Sequence, residues 1–280
     1  MKDRKVQHIA HAVWMFKAKA EIMGGDTSNT VTYCRRAIQI CPADSGLIRF
    51  EILPSLAEAK SWRTFLDAIK VLSRVSWLSS CICLEDYMHE MHSAAKATGE
   101  TEYILELYRN TVPAAQFNGA NESRLMVNWA QFYRDVVGTL DATSKAKTLV
   151  NKVIDTKGST HYSAASFFLS DILLEEFRGT TQLEKKVMAY SEMQDLVKRV
   201  SESMGSEFNA SQSQTVIPLA HITQKMDSVE FQQGLERTFE GCVAALTDEA
   251  GWNDTLSLRV LARVLAVVGL EREAQIAATY

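Results

Sequence analysis

Residues 13–42 constrain the fold of this chain most, because they contain two helical patterns around one strong break. In the first pattern Trp14 and Ala18 lie four residues apart and therefore share one face of a helix. A Gly-Gly pair interrupts the pattern, and Ala37 falls within the second one. Pro42 closes it, since proline cannot continue a helix interior. The stretch therefore predicts a helix–turn–helix unit.

Apolar residues on both sides of this break recur at helical spacing. The first helix, predicted for 6–23, places four apolar or small residues on one face, and the second places four residues inward. The first face consists of Ile9, Val13, Phe16 and Ala20; the inward residues of the second helix are Val31, Cys34, Ala37 and Ile38.

Looser versions of the same pattern fill the remaining chain. A third helix is expected to be kinked or split by Pro54, and Ser61 is expected to cap a fourth, with Phe65, Ala68, Ile69 and Leu72 at helical spacing. Residues 111–122 predict a loop, because they hold a proline, a glycine and two asparagines. Further helices are predicted for 84–97, 100–110, 125–140, 141–154, 162–177, 183–200, 216–226, 229–246 and 251–268, with a last one from residue 270.

This succession of helix pairs predicts an all-α chain in which antiparallel pairs stack into an α-solenoid. The prediction covers 1–280 as a single helical-repeat domain, with a weak boundary or loop in the polar stretch 201–215. A compact all-α bundle is the alternative architecture.

The opening unit resembles a tetratricopeptide-like helical repeat. Trp14, Ala18, Ala37 and Pro42 occupy four signature positions of that family, whereas Glu21 stands where the family has a tyrosine and Thr30 where it has an alanine. A second match lies near the end of the sequence, at Leu258, Leu261, Ala262, Leu265, Ala274 and Ala278. The resemblance implies degenerate repeats in a right-handed superhelix, in which small residues allow helices to approach closely.

Composition indicates which ligands the protein binds and in which compartment it lies. The net charge of −4 provides no basic field for nucleic acid, and no apolar run is long enough to span a membrane. Five cysteines in no pairing pattern are typical of a reducing compartment. The sequence therefore predicts a soluble protein of the cytoplasm or nucleus that binds neither nucleic acid nor membrane.

Candidate chemical groups are sparse. His89, His92 and Glu85 could share one side of a helix and bind zinc, with Cys81 and Cys83 nearby. The spacing is not that of a metalloprotease, however, and the alternative is a surface helix with incidental histidines beside two buried cysteines. No nucleophile, phosphate-binding or dinucleotide motif occurs. We therefore expect no enzymatic activity, no cofactor and no resident metal.

A scaffold that binds a partner peptide or protein through its repeat surface is the predicted function. Lysines on 145–157 and 185–199 could line a groove for an acidic peptide, although interleaved acidic residues favour a solvated face. The alternative function is a structural subunit that assembles, or self-associates, through its end helices, and an all-α enzyme is the third and least favoured hypothesis. The last helix, 270–280, has no capping residue, so the sequence is also compatible with a fragment of a larger repeat protein.

Overall fold

A computed structural model describes residues 2–42, 45–117, 122–156, 159–205, 222–247 and 275. All regular secondary structure in these ranges is helical, and none of it is strand. The prediction of an all-α chain is confirmed. Within the same ranges, no helix combines the length and the apolar character needed to cross a membrane.

The helices follow one another with short connections. Their bounds are α1 Lys2–Met23, α2 Thr30–Ile40, α3 Leu53–Glu58, α4 Trp62–Ser73, α5 Trp77–Asp86, α6 Met88–Thr98, α7 Thr101–Phe117, α8 Glu122–Phe132, α9 Leu140–Asp155, α10 Tyr162–Gly179, α11 Leu183–Gly205 and α12 Val229–Thr247. Two π-helical segments, Ile48–Ile52 and Tyr133–Val137, lead into α3 and continue α8.

The break between α1 and α2 lies where the glycine pair predicts it. Gly25 has a φ of 79°, in the left-handed region that glycine adopts without steric cost. Ala18 on α1 and Ala37 on α2 are both fully buried, so the two helices can approach closely. Trp14 stacks on Tyr33 with 5.5 Å between ring centroids.

The apolar face predicted for the first helix is not the face that α1 buries. Its buried row is His11, Met15, Ala18 and Ile22, whereas the predicted row of Ile9, Val13, Phe16 and Ala20 is exposed. The two rows lie on opposite sides of the helix. The row that carries Ala18 is buried because α2 packs against it, and a small residue permits the shorter interhelical distance.

Pro54 divides the third helix as expected. It lies in the first turn of α3, directly after the π-helical segment, where its missing N–H removes the fewest helical hydrogen bonds. The next helix begins after Ser61, but the Ser61 side chain makes no capping hydrogen bond. Phe65, Ala68 and Ile69 of α4 are fully buried, and Leu72 is almost so.

The single helix predicted for 84–97 is wrong, because α5 ends at Asp86 and α6 starts at Met88. Two side chains of α8 bind the carbonyls at the end of α5: Asn128 Nδ2 donates to Leu84 O, and Arg124 Nη2 donates to Glu85 O, each at 3.1 Å. Helix termini leave such carbonyls without helical partners, so these contacts stabilise the break.

The loop predicted for 111–122 is wrong over its first part, since α7 continues to Phe117 with Pro113 inside it. Thr111, Val112 and Ala115 are buried, while Pro113 is exposed. Packing of three residues around the proline offsets the helical hydrogen bond that it removes. Residues 118–121 lie outside the described ranges.

The helix predicted for 125–140 ends at Gly138, whose φ is 64°. The following helix, α9, is capped by Thr139, whose Oγ1 accepts a hydrogen bond from Ala142 N at 3.2 Å. Asp141 and Thr143 lie inside α9, one and three residues after its first residue, Leu140.

The later helices are joined by side-chain contacts between α10 and the chain around α12. Arg178 Nη2 lies 2.7 Å from Glu230 Oε2, and the rings of Phe177 and Phe231 lie 4.7 Å apart between centroids. Helix α11 continues to Gly205, so the first five residues of the predicted boundary 201–215 are helical. Residues 206–215 lie outside the described ranges.

The chain divides into two compact units, one over Met1–Leu149 and one over Val150–Tyr280. The division falls inside α9 rather than at 201–215. In the first unit each helix contacts elements near it in sequence: α2 contacts α4, α4 contacts α6, and α5 contacts α7 and α8. In the second unit α11 contacts both α10 and α12. A single domain over 1–280 stays a prediction.

Candidate protein-interaction surface

The outer side of α1 carries a continuous row of apolar residues, which we call the apolar seam. It consists of Val6, Ile9, Val13, Phe16, Ala20 and Met23. The exposed fractions of the five large side chains are 64% for Val6, 65% for Ile9, 48% for Val13, 73% for Phe16 and 80% for Met23. Single exposed apolar residues are ordinary on protein surfaces, whereas a row of them along one helix makes this side of α1 a candidate interaction surface.

The fold leaves the apolar seam open because it uses the opposite side of α1. That side packs against α2, the segment Ile48–Ile52 and α3. Met15 and Ile22 are nearly buried there, and Ala18 is completely buried. Helix α1 therefore has apolar rows on two sides, one packed within its own unit and one exposed.

A small cleft of about 70 Å³ adjoins the apolar seam at Phe16. Met15 and Ile52 are the buried residues of its lining, and Leu47 lies at its edge. Phe50, three residues after Leu47 and outside the lining, is exposed, and Arg49 lies 4.4 Å from its ring centroid. The apolar surface therefore extends from α1 towards the segment that precedes α3.

On α1 itself, Lys17 and Lys19 are the charged side chains that border the apolar seam. Lys19 Nζ lies 2.5 Å from Glu51 Oε2 across the cleft, in a pair whose two side chains are both more than 40% exposed. Lys17 Nζ lies 4.7 Å from the centroid of the Trp14 ring and forms no ion pair within the described ranges. Glu21, farther from the seam, accepts hydrogen bonds from Asn29 N and Nδ2.

Three of the four predicted repeat-packing residues of the opening unit lie at the contact between α1 and α2. Ala18 and Ala37 are fully buried, Trp14 is half-buried, and Pro42 is exposed just after the end of α2. Thr30, where the family has alanine, is fully buried, and its hydroxyl has no hydrogen-bond partner among the described residues. The other predicted packing residues, Leu258, Leu261, Ala262, Leu265, Ala274 and Ala278, lie outside the described residues.

The histidines considered as zinc ligands do not converge with Glu85. His89 is exposed and His92 is buried on α6, whereas Glu85 belongs to α5, before the helix break. Burial lowers the pKa of His92 to about 4. Among the described residues, no group of three or more histidine, cysteine, aspartate or glutamate side chains could hold a metal ion.

The thiols of three cysteines are buried and held in the protonated form. Burial raises the pKa of Cys34 and of Cys83 to about 12, and that of Cys81 to about 11. A thiol is nucleophilic only as the thiolate, so these three groups are poor nucleophiles at neutral pH. Cys41 is partly exposed, and its Sγ lies 4.0 Å from His8 Nδ1.

A polar groove of about 470 Å³ lies in the second unit, between α9, α10 and α11. Its apolar floor is formed by Leu169 and Leu173. Arg199 is engaged within it, since Nη1 lies 3.2 Å from Asp155 Oδ1 and Nη2 donates to Asn151 Oδ1 at 2.9 Å. The other charged lining residues are Glu192, Asp195, Lys198 and Glu202, so the groove offers no excess of positive charge to an acidic peptide.

No protein-family model matches the chain, and no match was found among curated proteins or solved structures. The resemblance to tetratricopeptide-like repeats therefore rests on the sequence of the opening unit and of the second match near the end, and it stays a prediction.

Sequence reasoning grouped Ile9, Val13, Phe16 and Ala20 on one face but did not identify that face as a binding surface. Val6 and Met23, which extend the row at both ends, were not singled out, and neither were Leu47 and Phe50. The signal that could have identified the surface is the second row on α1, because only one of two opposite rows can face α2.

Proposed function

We propose that this protein is a protein-interaction module built as a stack of tetratricopeptide-like helix pairs. The near-neighbour packing of α2 on α4, α4 on α6 and α5 on α7 supports the stacked arrangement, since repeat proteins bury their core between consecutive units. The buried alanines Ala18 and Ala37 support the likeness to the repeat family. In this proposal the chain has no catalytic role and no cofactor, and it acts in the cytoplasm or nucleus.

The apolar seam of α1 is the observation that carries the proposal. Removing the exposed area of its five large side chains from water is worth on the order of 5–10 kcal/mol. This gain is comparable with the cost of association, so binding also requires good packing around the central side chains. Phe16, the only aromatic residue of the seam, lies beside the cleft and is the best candidate for an energetic centre.

Affinity capture followed by mass spectrometry tests this function, with wild type compared with Phe16→Glu. Because Phe16 is 73% exposed, the substitution leaves the fold intact but places a carboxylate in the seam. We expect the variant to lose partners that the wild type captures. Gln7→Glu is the matched control: it adds the same charge to an exposed position of α1 outside the seam. If wild type and Phe16→Glu capture the same partners in the same amounts, the seam is not the binding surface.

A structural subunit of a permanent assembly is the second candidate function. The apolar character of the seam favours it, because obligate interfaces are more hydrophobic than transient ones. Light scattering coupled to size exclusion distinguishes the two candidates for the isolated chain. A permanent self-assembly keeps its mass on dilution into the nanomolar range, whereas an interaction module with a separate partner elutes as a monomer.

A further inference from the structure

The spacing of the apolar seam indicates the shape of what it binds. Its residues follow one another at alternating intervals of three and four, from Val6 through Ile9, Val13, Phe16 and Ala20 to Met23. This is the heptad period of a coiled-coil seam, which runs straight along a helix for about 26 Å here. A row of this form is complementary to the apolar row of a second helix that lies nearly parallel to α1.

The residues beside the apolar seam leave room for such a helix. Ala10 lies on one side and Ala12 on the other, next to Ile9 and Val13. Small side chains at these positions allow the backbone of a second helix to approach the seam closely. The open edge of the cleft at Phe16 and Leu47 can receive a large apolar side chain from that helix.

The charges beside the apolar seam indicate the chemistry of the second helix. We call the two lines of side chains that border the seam its flanks: Ala10 and Lys17 form one, and Ala12 and Lys19 form the other. Both flanks therefore carry lysine and neither carries an acidic residue at these positions. Glu51 contacts Lys19 only through an exposed ion pair, which contributes little and can be shared with another carboxylate.

A second copy of α1 fits the flanks poorly. In a parallel pair of such helices each flank faces the opposite flank of the copy, and in an antiparallel pair each flank faces its own counterpart. Both arrangements place lysine or alanine against lysine or alanine. An unlike helix with acidic flanks would instead pair its carboxylates with Lys17 and Lys19, and flanking charges of this kind select partners in coiled coils.

Resting on the proposed function, we propose that the apolar seam binds an amphipathic helix of another protein, whose apolar heptad row is flanked by glutamate or aspartate. The match lies in three features: the heptad period of the seam, the small residues at Ala10 and Ala12, and the lysines on both flanks. The partner helix buries its apolar row against Phe16 and Val13, and its acidic flanks lie along Lys17 and Lys19.

Two synthetic peptides test the inference by fluorescence anisotropy with the full chain. Both are 24-residue amphipathic helices with leucine and isoleucine in the heptad row and a fluorescein label; one has glutamate at all flanking positions and the other has lysine. We expect wild type to bind the glutamate peptide at least tenfold more tightly than the lysine peptide. Added salt should reduce this preference, because exposed charge pairs are screened.

Charge reversal at the flank supplies a stricter comparison. Lys17→Glu should weaken binding of the glutamate peptide several-fold and strengthen binding of the lysine peptide. Arg35→Glu, on the exposed face of α2, changes the net charge equally and should leave the preference at its wild-type value. Phe16→Glu should abolish binding of both peptides.

The outcomes separate this inference from the proposed function. Equal affinity for the two peptides, lost in Phe16→Glu, would overturn the acidic-helix assignment and keep the seam as a binding surface. A wild-type dimer that Phe16→Glu converts to a monomer would assign the seam to a second copy instead. Failure of both peptides to bind would also overturn the inference, whereas the proposed function is judged separately by whether Phe16→Glu loses captured partners.

Discussion

At the scale of single residues, His92 shows how burial changes a side chain that looks like a metal ligand in the sequence. Its ring packs edge-on against Phe132, with 5.2 Å between centroids, and its Nε2 atom is buried without a hydrogen-bond partner among the described residues. Burial lowers the pKa of His92; His89 and Lys96 lower it further, and Asp135 partly opposes them. The residue is therefore neutral in the folded protein at physiological pH.

This environment predicts that His92 makes stability depend on pH. An unfolded histidine has a pKa of about 6.5, and the folded value is about 4, so the unfolded state binds more protons between these values. The contribution of neutral His92 to the free energy of unfolding is fully present above pH 6.5 and is lost as the pH falls towards 4. From pH 7.5 to pH 5 we expect His92 to lower the free energy of unfolding by about 2 kcal/mol, measured by urea denaturation.

Substitution by a group that does not titrate isolates this contribution. Between pH 7.5 and pH 5, the free energy of unfolding of His92→Leu should fall by about 2 kcal/mol less than that of the wild type. Ser93→Leu, at the exposed neighbouring position of α6, is the control: it adds the same side chain without removing a titrating group and should keep the wild-type pH dependence. Identical pH dependence in wild type and His92→Leu would show that His92 does not titrate as a buried group.

At the scale of elements, the break between α5 and α6 depends on a third helix. Tyr87 separates the two helices, and its hydroxyl donates a hydrogen bond to the carbonyl of Arg49. On the other side, Asn128 and Arg124 of α8 donate to the last carbonyls of α5. The position of the break is therefore determined by residues far away in sequence as well as by the local chain.

Loss of the Asn128 amide is expected to destabilise this junction. Asn128 is buried, so Asn128→Ala leaves the carbonyl of Leu84 without its partner and should lower the free energy of unfolding by about 1–3 kcal/mol. Chemical denaturation measures the change. The exposed Asn110→Ala on α7 is the matched control, expected to alter stability by less than about 0.5 kcal/mol. Equal stability of the two variants would contradict a role for Asn128 at the break.

At the scale of the whole molecule, the contacts among the described helices of each unit are mainly between near neighbours in sequence. Repeat proteins with this property have stabilities that approximate a sum over units and their shared interfaces. A compact bundle instead unfolds as one cooperative body. A destabilising substitution in one part of the chain therefore distinguishes the two arrangements. It lowers the local stability of distant helices in a bundle but not in the proposed stack.

The substitution Leu173→Ala tests this difference between stack and bundle. Leu173 is fully buried in α10, so its truncation should lower the free energy of unfolding by about 2–5 kcal/mol. In a stack we expect amide hydrogen exchange to increase in α10, α11 and α12 and to stay at its wild-type rate in α1–α4. Leu72→Ala, at a buried position of α4, should give the opposite pattern. A uniform increase along the chain in both variants would favour the bundle.

Much of the secondary structure was predictable from local patterns. Backbone preferences within a few residues predict where several helices begin and end. Helix α1 ends at a glycine pair and α6 ends at Gly99, and the starts of α10 and α11 are also predicted locally. The buried residues of α4 follow from their helical spacing. These features depend on hydrogen bonds and side-chain contacts inside one helix, so no information from elsewhere in the chain is needed.

Tertiary structure decided the features for which the local sequence allows two arrangements. The apolar periodicity of α1 shows two opposite rows, and only the packing of α2 against Ala18 determines that the row with Phe16 stays exposed. Burial around Pro113 likewise extends α7, and contacts from α8 stabilise the break at Tyr87. The sequence by itself therefore determined that this segment is a helix with apolar residues at helical spacing. Which side of α1 stays exposed was decided by the space that neighbouring helices leave, because close packing allows only one row to occupy it.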